Sequence, residues 1–269
     1  MTAASKRHRL RWAVRHHTAT TVGSSMSLAS QKRFYRRLQW LIAVLLRRFI
    51  KIEAIGLEHV PQTGPAILVC NHRSDIDPSV LGSVIPRYIC WVAAAYMKKV
   101  PLTGWIIKKT GMVLMDVNGK VTPGSMKHAL RVLDEGEMLG VFPEGEAYIF
   151  ANDFSAPLAA FHRGFGVLAL RKRVPIVPVM ICPVEETLKP IRIPSSIRAE
   201  IGKHHDLDRI KEIVRYKRVR VVVGASISVE AVGGRRREEV LEQLVRQVRE
   251  SMLEIQRTYG DSGSIEGDA

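Results

Sequence analysis

A histidine and two carboxylates follow an apolar run in the first third of the chain. The run Ala66–Val69 has the composition of a buried strand, and His72, Asp75 and Asp77 come just after it in the segment CNHRSDIDP. Polar side chains at the exit of a hydrophobic strand are costly to bury unless they are paired. Such clusters are often functional sites, so these side chains need a partner or a chemical task.

The spacing of His72 and Asp77 limits how they can meet. Five residues of continuous helix would separate them by about 140°, so they are not neighbours on one helix. If His72 lies on the loop and Asp77 caps the next helix, the loop can bring the carboxylate against one imidazole nitrogen. A ring held in this way is oriented and more basic, as a general base requires. The alternative is that Asp77 only caps its helix and His72 is a polar loop residue.

A second acidic residue, Glu144, comes after another apolar run, Met138–Phe142. Pro143 and Gly145 on either side of it predict a tight turn that projects the carboxylate. Because strand-like and helix-like segments alternate along the chain, we expect an α/β fold with a central, largely parallel or mixed sheet flanked by helices. Polar residues at the carboxyl ends of such strands gather at one edge of the sheet.

The hydrophobic pattern and the turn residues predict the elements of this fold. Strands are predicted at Ile52–Ile55, Ala66–Cys70, Tyr88–Ala95, Gly111–Asp116, Met138–Phe142, Ile176–Ile181 and Val219–Val223. Helices are predicted at Pro78–Ile85, Met97–Thr110, Ser125–Asp134, Gly164–Arg171 and Arg235–Arg257. Several prolines interrupt residues 183–217, so we expect a loop there with a short helix at Leu207–Arg215.

The charge of the chain predicts an anionic partner. Among 269 residues there are 41 Lys and Arg against 26 Asp and Glu, a formal net charge of +15. Nucleic acid and an anionic membrane surface both fit this charge. No Asp or Glu precedes Glu53, whereas basic residues recur from Lys6 to Lys51.

Residues 31–51 have the pattern of an amphipathic interfacial helix, although a helix packed on the core is the alternative. The apolar middle, Leu41–Leu46, is far shorter than the roughly 20 residues that cross a bilayer. Basic and aromatic residues surround it: Phe34, Tyr35, Arg37, Trp40, Arg47 and Arg48. Around this helix we expect a disordered basic arm over 1–30, a folded domain over 52–258 and a disordered tail over 259–269. The arm also has the composition of an organelle transit peptide, but it lacks the apolar core of a secretory signal.

The three cysteines, Cys70, Cys90 and Cys182, lie in apolar runs and form no CxxC pair. They predict buried thiols in a reducing compartment, without a disulfide framework or a zinc site. Neither a glycine-rich dinucleotide or Walker loop nor a GxSxG elbow is present, so we expect no cofactor and no serine hydrolase.

The two polar clusters together resemble a known family. NHRSDID and VFPEGE are similar to the NHxxxxD and FPEG blocks of the glycerolipid acyltransferases. Other stretches that resemble this family are Met97–Lys99, Gly104–Trp105, Gly111–Asp116, Phe161–Gly164 and Val174–Val179. The resemblance extends from about Lys51 to Val229, so the folded domain is expected to be an acyltransferase domain.

The resemblance implies an O-acyltransferase of phospholipid biosynthesis, peripheral or monotopic on the cytoplasmic face of a membrane. His72 would take a proton from an acceptor hydroxyl, with Asp77 orienting it, and the oxygen would attack acyl-CoA or acyl-carrier protein directly. A thioester is already activated, so no acyl-enzyme is expected. The acceptor would be a lysophospholipid, with 1-acylglycerol-3-phosphate first. The residues expected to bind it are Glu144, Gly145, Asp116 and Arg73.

Two departures from the family pattern concern the acceptor. Where the family has arginines that read phosphate, this chain has Val117-Asn118 after Asp116 and Glu146-Ala147-Tyr148 after the FPEG block. Arginine is the usual clamp for phosphate, so another head group becomes a serious alternative, such as a different lysolipid or a lyso-aminolipid. The cations that could substitute for the missing arginines are Arg73, Lys120 and Arg163.

Two rival functions differ from acyl transfer. A basic nucleic-acid-binding protein would explain the charge, but the chain has no recognition-helix, zinc or aromatic-stacking signature, so no nucleic-acid partner is expected. A membrane-bound scaffold with an inactive acyltransferase fold would explain the departures. Retention of His72, Asp77 and Glu144 argues against that scaffold.

Overall fold

A seven-stranded sheet organises the computed structural model, which describes residues 26–115, 122–145, 158–190, 193, 198, 202–203, 212–231 and 236–260. The strands are β1 (Lys51–Ile55), β2 (Ala66–Cys70), β3 (Ile89–Ala94), β4 (Val113–Met115), β5 (Met138–Val141), β6 (Ile176–Pro190) and β7 (Glu212–Val223). The helices are α1 (Leu28–Phe49), α2 (Asp77–Val84), α3 (Pro101–Thr110), α4 (Pro123–Asp134), α5 (Gly164–Lys172) and α6 (Arg237–Tyr259). Short 3-10 turns occupy Leu57–His59, Ala95–Lys99 and Val229–Ala231.

The strand order is β1-β7-β6-β2-β5-β3-β4. Neighbouring strands are parallel except for β6 and β7, which pair antiparallel. This arrangement confirms the predicted α/β class with a mixed, mostly parallel sheet. The centre of the core is β2, whose five residues are all buried, as expected for a strand that is covered on both faces.

Helix α6 covers part of the sheet with its apolar stripe. Its buried residues are Leu241, Leu244, Val248, Met252 and Ile255. Their spacing of three and four residues puts them on one face, which packs against β6. Helix α6 therefore supports the strand that lies next to β2.

Helix α1 lies across the edge where the strands begin. Its Tyr35 packs edge-on against Tyr88 at the start of β3, with ring centroids 5.1 Å apart. Lys32 forms an ion pair with Glu137, directly before β5. Gln39 donates to the carbonyl oxygens of Gly82 and Ile85 at the end of α2. The helix predicted at 31–51 is therefore present, but it spans Leu28–Phe49 and is joined to the core along one side.

Most other predicted elements begin and end within three residues of the observed ones. The segment predicted as one helix at Met97–Thr110 is a 3-10 turn followed by α3, because Pro101 begins a new helix. The arm up to residue 25, the tail from residue 261 and Asp116 lie outside the described residues.

The prediction for residues 183–217 is wrong. Strand β6 continues to Pro190, and β7 begins at Glu212, so residues 183–190 and 212–217 belong to a long antiparallel strand pair instead of a loop. Pro183 is accommodated at a shift in the pairing register between Pro183 and Glu185, where a strand tolerates a missing N–H donor. Of the helix predicted at Leu207–Arg215, residues 212–215 belong to β7 and the remainder lies outside the described residues.

A glycine in β5 makes room for a tryptophan in β3. Trp91 lies opposite Gly140 in the β3–β5 pairing. A Cβ atom at Gly140 would lie 2.4 Å from Trp91 Cε3 and 2.6 Å from Ile89 Cγ2, much closer than van der Waals contact. A larger residue at position 140 would therefore displace the buried indole ring.

We expect Gly140→Ala to lower the free energy of unfolding by about 1–3 kcal/mol, the usual cost of overpacking a core. Gly164→Ala is the matched control, since a Cβ at Gly164 would enter open space. That control should change the stability by no more than about 0.5 kcal/mol. Urea unfolding followed by circular dichroism measures both, and equal stability of the two variants would contradict the packing described for Gly140.

Candidate active site

The two polar clusters meet at one edge of the sheet. Strands β2 and β5 are parallel neighbours, with Val69 opposite Val141. The chain therefore leaves both strands at the same edge, which we call the catalytic edge. His72 follows β2 and Glu144 follows β5, so the structure brings the two predicted clusters together.

The carboxylate of Asp77 is fully buried and accepts four hydrogen bonds. Its Oδ2 accepts from His72 Nδ1 at 2.9 Å and from the backbone N–H groups of Arg73 and Ser74 at 2.7 and 2.8 Å. Its Oδ1 accepts from the Tyr216 hydroxyl at 2.8 Å. An ionised carboxylate only accepts, so Nδ1 of His72 carries the proton of the neutral ring and Nε2 keeps its lone pair.

Asp77 lies one position further into the helix than predicted. It is the first residue of α2, and Ile76 occupies the cap position without a side-chain capping bond. The Asp77 carboxylate turns back to the loop at residues 72–74 instead of capping its own helix. Its task is therefore to hold the loop and the imidazole of His72.

Asn71 fixes the point at which the loop leaves the sheet. Its side chain donates to the carbonyl oxygen of Ile181 at 3.1 Å and accepts from the N–H of Ile181 at 2.7 Å. This pair of bonds continues the contact between β2 and β6 beyond the end of β2. Asn71 is buried, and its side chain both donates to and accepts from Ile181. The backbone of the next residue, His72, therefore starts from a fixed position.

Glu144 also holds the backbone near His72. Its Oε2 accepts from the N–H of His72 at 2.9 Å, and its Oε1 accepts from the N–H of Ala159 at 2.8 Å. Burial raises the pKa of Glu144, while these two backbone N–H donors act in the opposite direction. The predicted tight turn is present, with Gly145 donating to the Phe142 carbonyl at 3.1 Å and adopting a φ of 75°. Contact of Glu144 and Gly145 with an acceptor stays a prediction.

Three flat rings form a stack beside the Asp77 carboxylate. The His72 imidazole lies on the Phe142 ring with centroids 4.0 Å apart and planes 16° apart. The Trp91 ring is nearly parallel to that of Phe142, with centroids 5.1 Å apart and planes 9° apart. Phe142 therefore covers one face of the imidazole.

The β6–β7 strand pair holds the same loop from another direction. Ser74 Oγ donates to the Val214 carbonyl at 2.8 Å. Asp75 forms an exposed ion pair with Arg215 at 2.7 Å. Together with Tyr216, these contacts join the loop to three consecutive residues of β7.

The cations proposed to replace the missing arginines have carboxylate partners. Arg73 bonds to the largely buried Glu186 of β6, and Arg163 forms an exposed ion pair with Glu238 of α6. Lys120 lies outside the described residues. Within the described part of the chain, no three metal-ligating side chains cluster.

Sequence reasoning did not assign roles to Asn71, Phe142, Glu186 and Tyr216. Asn71 and Phe142 belong to the recognised motifs, which could have directed attention to them. Tyr216 carried no signal, because its segment was predicted to be loop. Burial, followed by the nearby charge of Asp77, raises the pKa of Tyr216 well above its usual value, so its hydroxyl remains a neutral donor.

Comparisons with known proteins find similar sequences. Residues 51–182 match a family model described as Acyltransferase. A 1-acyl-sn-glycerol-3-phosphate acyltransferase of Helicobacter pylori is 29% identical over 136 residues, which cover 49% of this chain and 56% of the relative. An enzyme of the same name from Saccharomyces cerevisiae is 25% identical over 212 residues, 65% of this chain and 67% of the relative. The chain thus spans about half to two thirds of the length of these relatives.

A solved structure shares the fold. The crystal structure of the 1-acyl-sn-glycerophosphate acyltransferase PlsC from Thermotoga maritima matches with a TM-score of 0.56 and 17% identity. The match covers 84% of this chain and 81% of that one. At this identity the likeness shows the fold, and it confirms the predicted fold class.

The two bonds of Glu144 predict slow hydrogen exchange at the His72 and Ala159 amides. Glu144→Gln replaces one of the two accepting oxygens with an NH₂ group, which cannot accept a hydrogen bond. The backbone N–H opposite it loses its partner, and an unpaired buried donor costs about 1–3 kcal/mol. Exchange at one or both amides should therefore accelerate about tenfold or more, as measured by NMR. Glu135→Gln, an exposed site at the end of α4, is the control. Unchanged exchange at both amides would show that Glu144 does not hold this loop.

Proposed function

Because this chain belongs to the glycerolipid acyltransferase family, we propose that it moves a fatty acyl chain from a thioester to the hydroxyl of a lysophospholipid. The donor is acyl-CoA or acyl-carrier protein. The observation that carries the proposal is the bond between His72 Nδ1 and the buried Asp77 carboxylate. That bond leaves Nε2 of His72 as the atom that can accept a proton.

The reaction follows from this pair. Nε2 of His72 takes the proton of the acceptor hydroxyl while the hydroxyl oxygen attacks the thioester carbonyl carbon. The tetrahedral intermediate expels the thiolate, and the imidazolium returns the proton to the leaving sulfur. Asp77 stabilises the transient imidazolium by its charge and keeps the ring oriented. The products are the acylated lipid and the free thiol of the carrier.

The nearest cysteine does not suit a covalent route. Cys70 lies two residues before His72, but it is fully buried and burial raises its pKa well above the usual value. The thiolate is the reactive form of cysteine, so this thiol is inert. Direct transfer, with both substrates held side by side, therefore fits the site better than an acyl-enzyme.

Two classes of lysolipid are candidates for the acceptor. The names of the two relatives place 1-acylglycerol-3-phosphate first. Arg73 and Arg163, however, both face carboxylates, which reduces their capacity to clamp a phosphate monoester. A lysolipid with a less phosphate-dominated head group, or a lyso-aminolipid, is therefore the second candidate.

The exposed apolar residues support a membrane partner. In the described part of the chain, the large hydrophobic residues that are exposed all lie on α1 or α3: Trp40, Leu41, Val44, Leu45, Phe49, Leu102 and Trp105. The two helices contact each other, and Phe34 of α1 packs edge-on against Trp105 of α3 at 5.2 Å. We call this set the apolar docking face.

Exposed basic residues surround the apolar docking face, including Arg33, Arg36, Arg37, Arg47, Arg48 and Lys98. This combination suits the headgroup layer of an anionic membrane, with Trp40 at the boundary between water and lipid. We propose peripheral or monotopic association with the cytoplasmic face of a membrane. None of the described helices has both the length and the apolar character needed to cross a bilayer.

His72→Ala should lower acyl transfer by about 10²- to 10⁴-fold, the range expected for loss of a general base. Mass spectrometry follows the products when acyl-CoA and acyl-carrier protein are offered with a panel of lysolipids. His128→Ala, on α4, is the matched control and should keep full activity.

The acceptor panel separates the competing functions. Transfer to 1-acylglycerol-3-phosphate that depends on His72 supports the first candidate, and transfer only to another lysolipid supports the second. Wild-type levels of transfer by His72→Ala would contradict the mechanism. No transfer by the wild type, together with salt-sensitive binding to nucleic acid, would support the nucleic-acid rival instead.

Adding charge to the apolar docking face should weaken membrane binding. The double variant Leu45→Glu, Trp105→Glu removes two apolar contacts and adds two negative charges, so partition into vesicles of phosphatidylcholine and phosphatidylglycerol should fall at least about tenfold. The control Gln243→Glu, Gln247→Glu makes the same charge change on the exposed side of α6.

Flotation of both variants with the vesicles measures this effect. Point variants are preferable to deletion of residues 1–51, because α1 also packs on the core. Unchanged flotation of the α1–α3 variant would contradict the membrane proposal. Conversion of a dimer into a monomer by the same variant would show that this face pairs two copies.

A further inference from the structure

The ring stack at the catalytic edge has a task that the His72–Asp77 bond does not perform. That bond fixes one nitrogen of the imidazole, but it leaves the ring free to tilt about the line through Nδ1. Phe142 lies flat on the imidazole at 4.0 Å, which is van der Waals contact over the ring face. The ring cannot tilt toward Phe142 without a clash, and tilting away loses this contact.

The stack is itself held by the sheet. Gly140 and Phe142 are two residues apart at the end of β5, so they face the same side of the sheet. The place that a side chain at position 140 would take is filled by the buried Trp91 ring from β3. Trp91 then packs parallel to Phe142, with planes 9° apart, and holds that ring in place. The position of the imidazole is thus set from β3 and β5 as well as from β2.

We infer that Phe142 and Trp91 are positioning residues for His72, an inference that rests on the acyl transfer proposed above. Phe142 acts on the imidazole directly, and Trp91 acts through Phe142. The stack sets the plane of the imidazole, and thereby the direction in which Nε2 faces the acceptor hydroxyl.

The stack also suits the charge that forms during the reaction. When Nε2 takes the proton, the imidazole becomes a cation that rests on the face of an aromatic ring. Ring faces attract cations, and the effect grows where water is excluded. The interaction is therefore stronger when the proton has been transferred than before, which favours the rate of the step more than the binding of either substrate.

Steady-state kinetics separate positioning from substrate contact. Phe142→Leu keeps apolar bulk but removes the flat ring, so we expect kcat to fall about 5- to 30-fold. The KM values of both substrates should stay within about twofold. Phe142→Tyr should retain most of the activity, because its hydroxyl lies in the ring plane and points at neither neighbour. Trp91→Leu should show a smaller loss of kcat than Phe142→Leu, and Trp91→Phe should restore most of it.

NMR of the imidazole provides a readout that does not need activity. With ¹³C-labelled histidine, the ring protons of His72 should be shielded by the Phe142 ring in the wild type and lose this shift in Phe142→Leu. The resonances of His128, on α4, should stay unchanged in the same variant, and circular dichroism checks that it is folded.

Failure of the positioning inference and failure of the proposed function give different results. An unchanged kcat in folded Phe142→Leu, or a raised KM with unchanged kcat, overturns the inference, since Phe142 would then be idle or contact a substrate. If the wild type transfers no acyl group, the proposed function fails. In that case the NMR measurement still tests the ring stack. Unchanged His72 resonances in Phe142→Leu would show that Phe142 does not stack on the imidazole, and loss of the shielding would support the stack.

Discussion

A negative charge with no access to water sets the conditions for the rest of the site. The Asp77 carboxylate is stable in the interior only because four donors surround it. Two of these donors are backbone N–H groups, so the loop after β2 must curl around the carboxylate. A third is the Tyr216 hydroxyl, which must come from β7 on the other side of β6. The fourth is the imidazole of His72, and its orientation is thus a consequence of how a buried charge is satisfied.

The long antiparallel pair of β6 and β7 holds the loop that follows β2. Asn71 and Arg73 bond to β6, whereas Ser74, Asp75 and Asp77 bond to consecutive residues of β7. A loop held only by its two ends would sample many conformations. Here five side chains between residues 71 and 77 bond to two strands, and Glu144 holds the backbone from the end of β5. The site is therefore built on regular structure although its residues lie on loops.

The sequence was informative where a local pattern has one physical meaning. The apolar runs before His72 and Glu144 predicted buried parallel strands, and polar residues at their exits were expected at one edge. The motifs marked His72, Asp77 and Glu144, but they did not reveal that Glu144 bonds to the His72 amide, because that contact joins residues far apart in the chain. Tyr216 could not be found, since prolines made its surroundings look like a loop. One of them, Pro183, is tolerated at a shift in the pairing register that only the neighbouring strand defines.

Helix α1 has one side bonded to the protein and one side apolar and exposed. Gln31 and Tyr35 are buried, Lys32 bonds to Glu137 directly before β5, and Gln39 bonds to the end of α2. The helix therefore cannot rotate its exposed side inward without uncovering the core. Affinity for lipid would accordingly be constitutive, not a state that a ligand switches on. In water without a bilayer, the same apolar side stays exposed, so self-association is the expected hazard during purification.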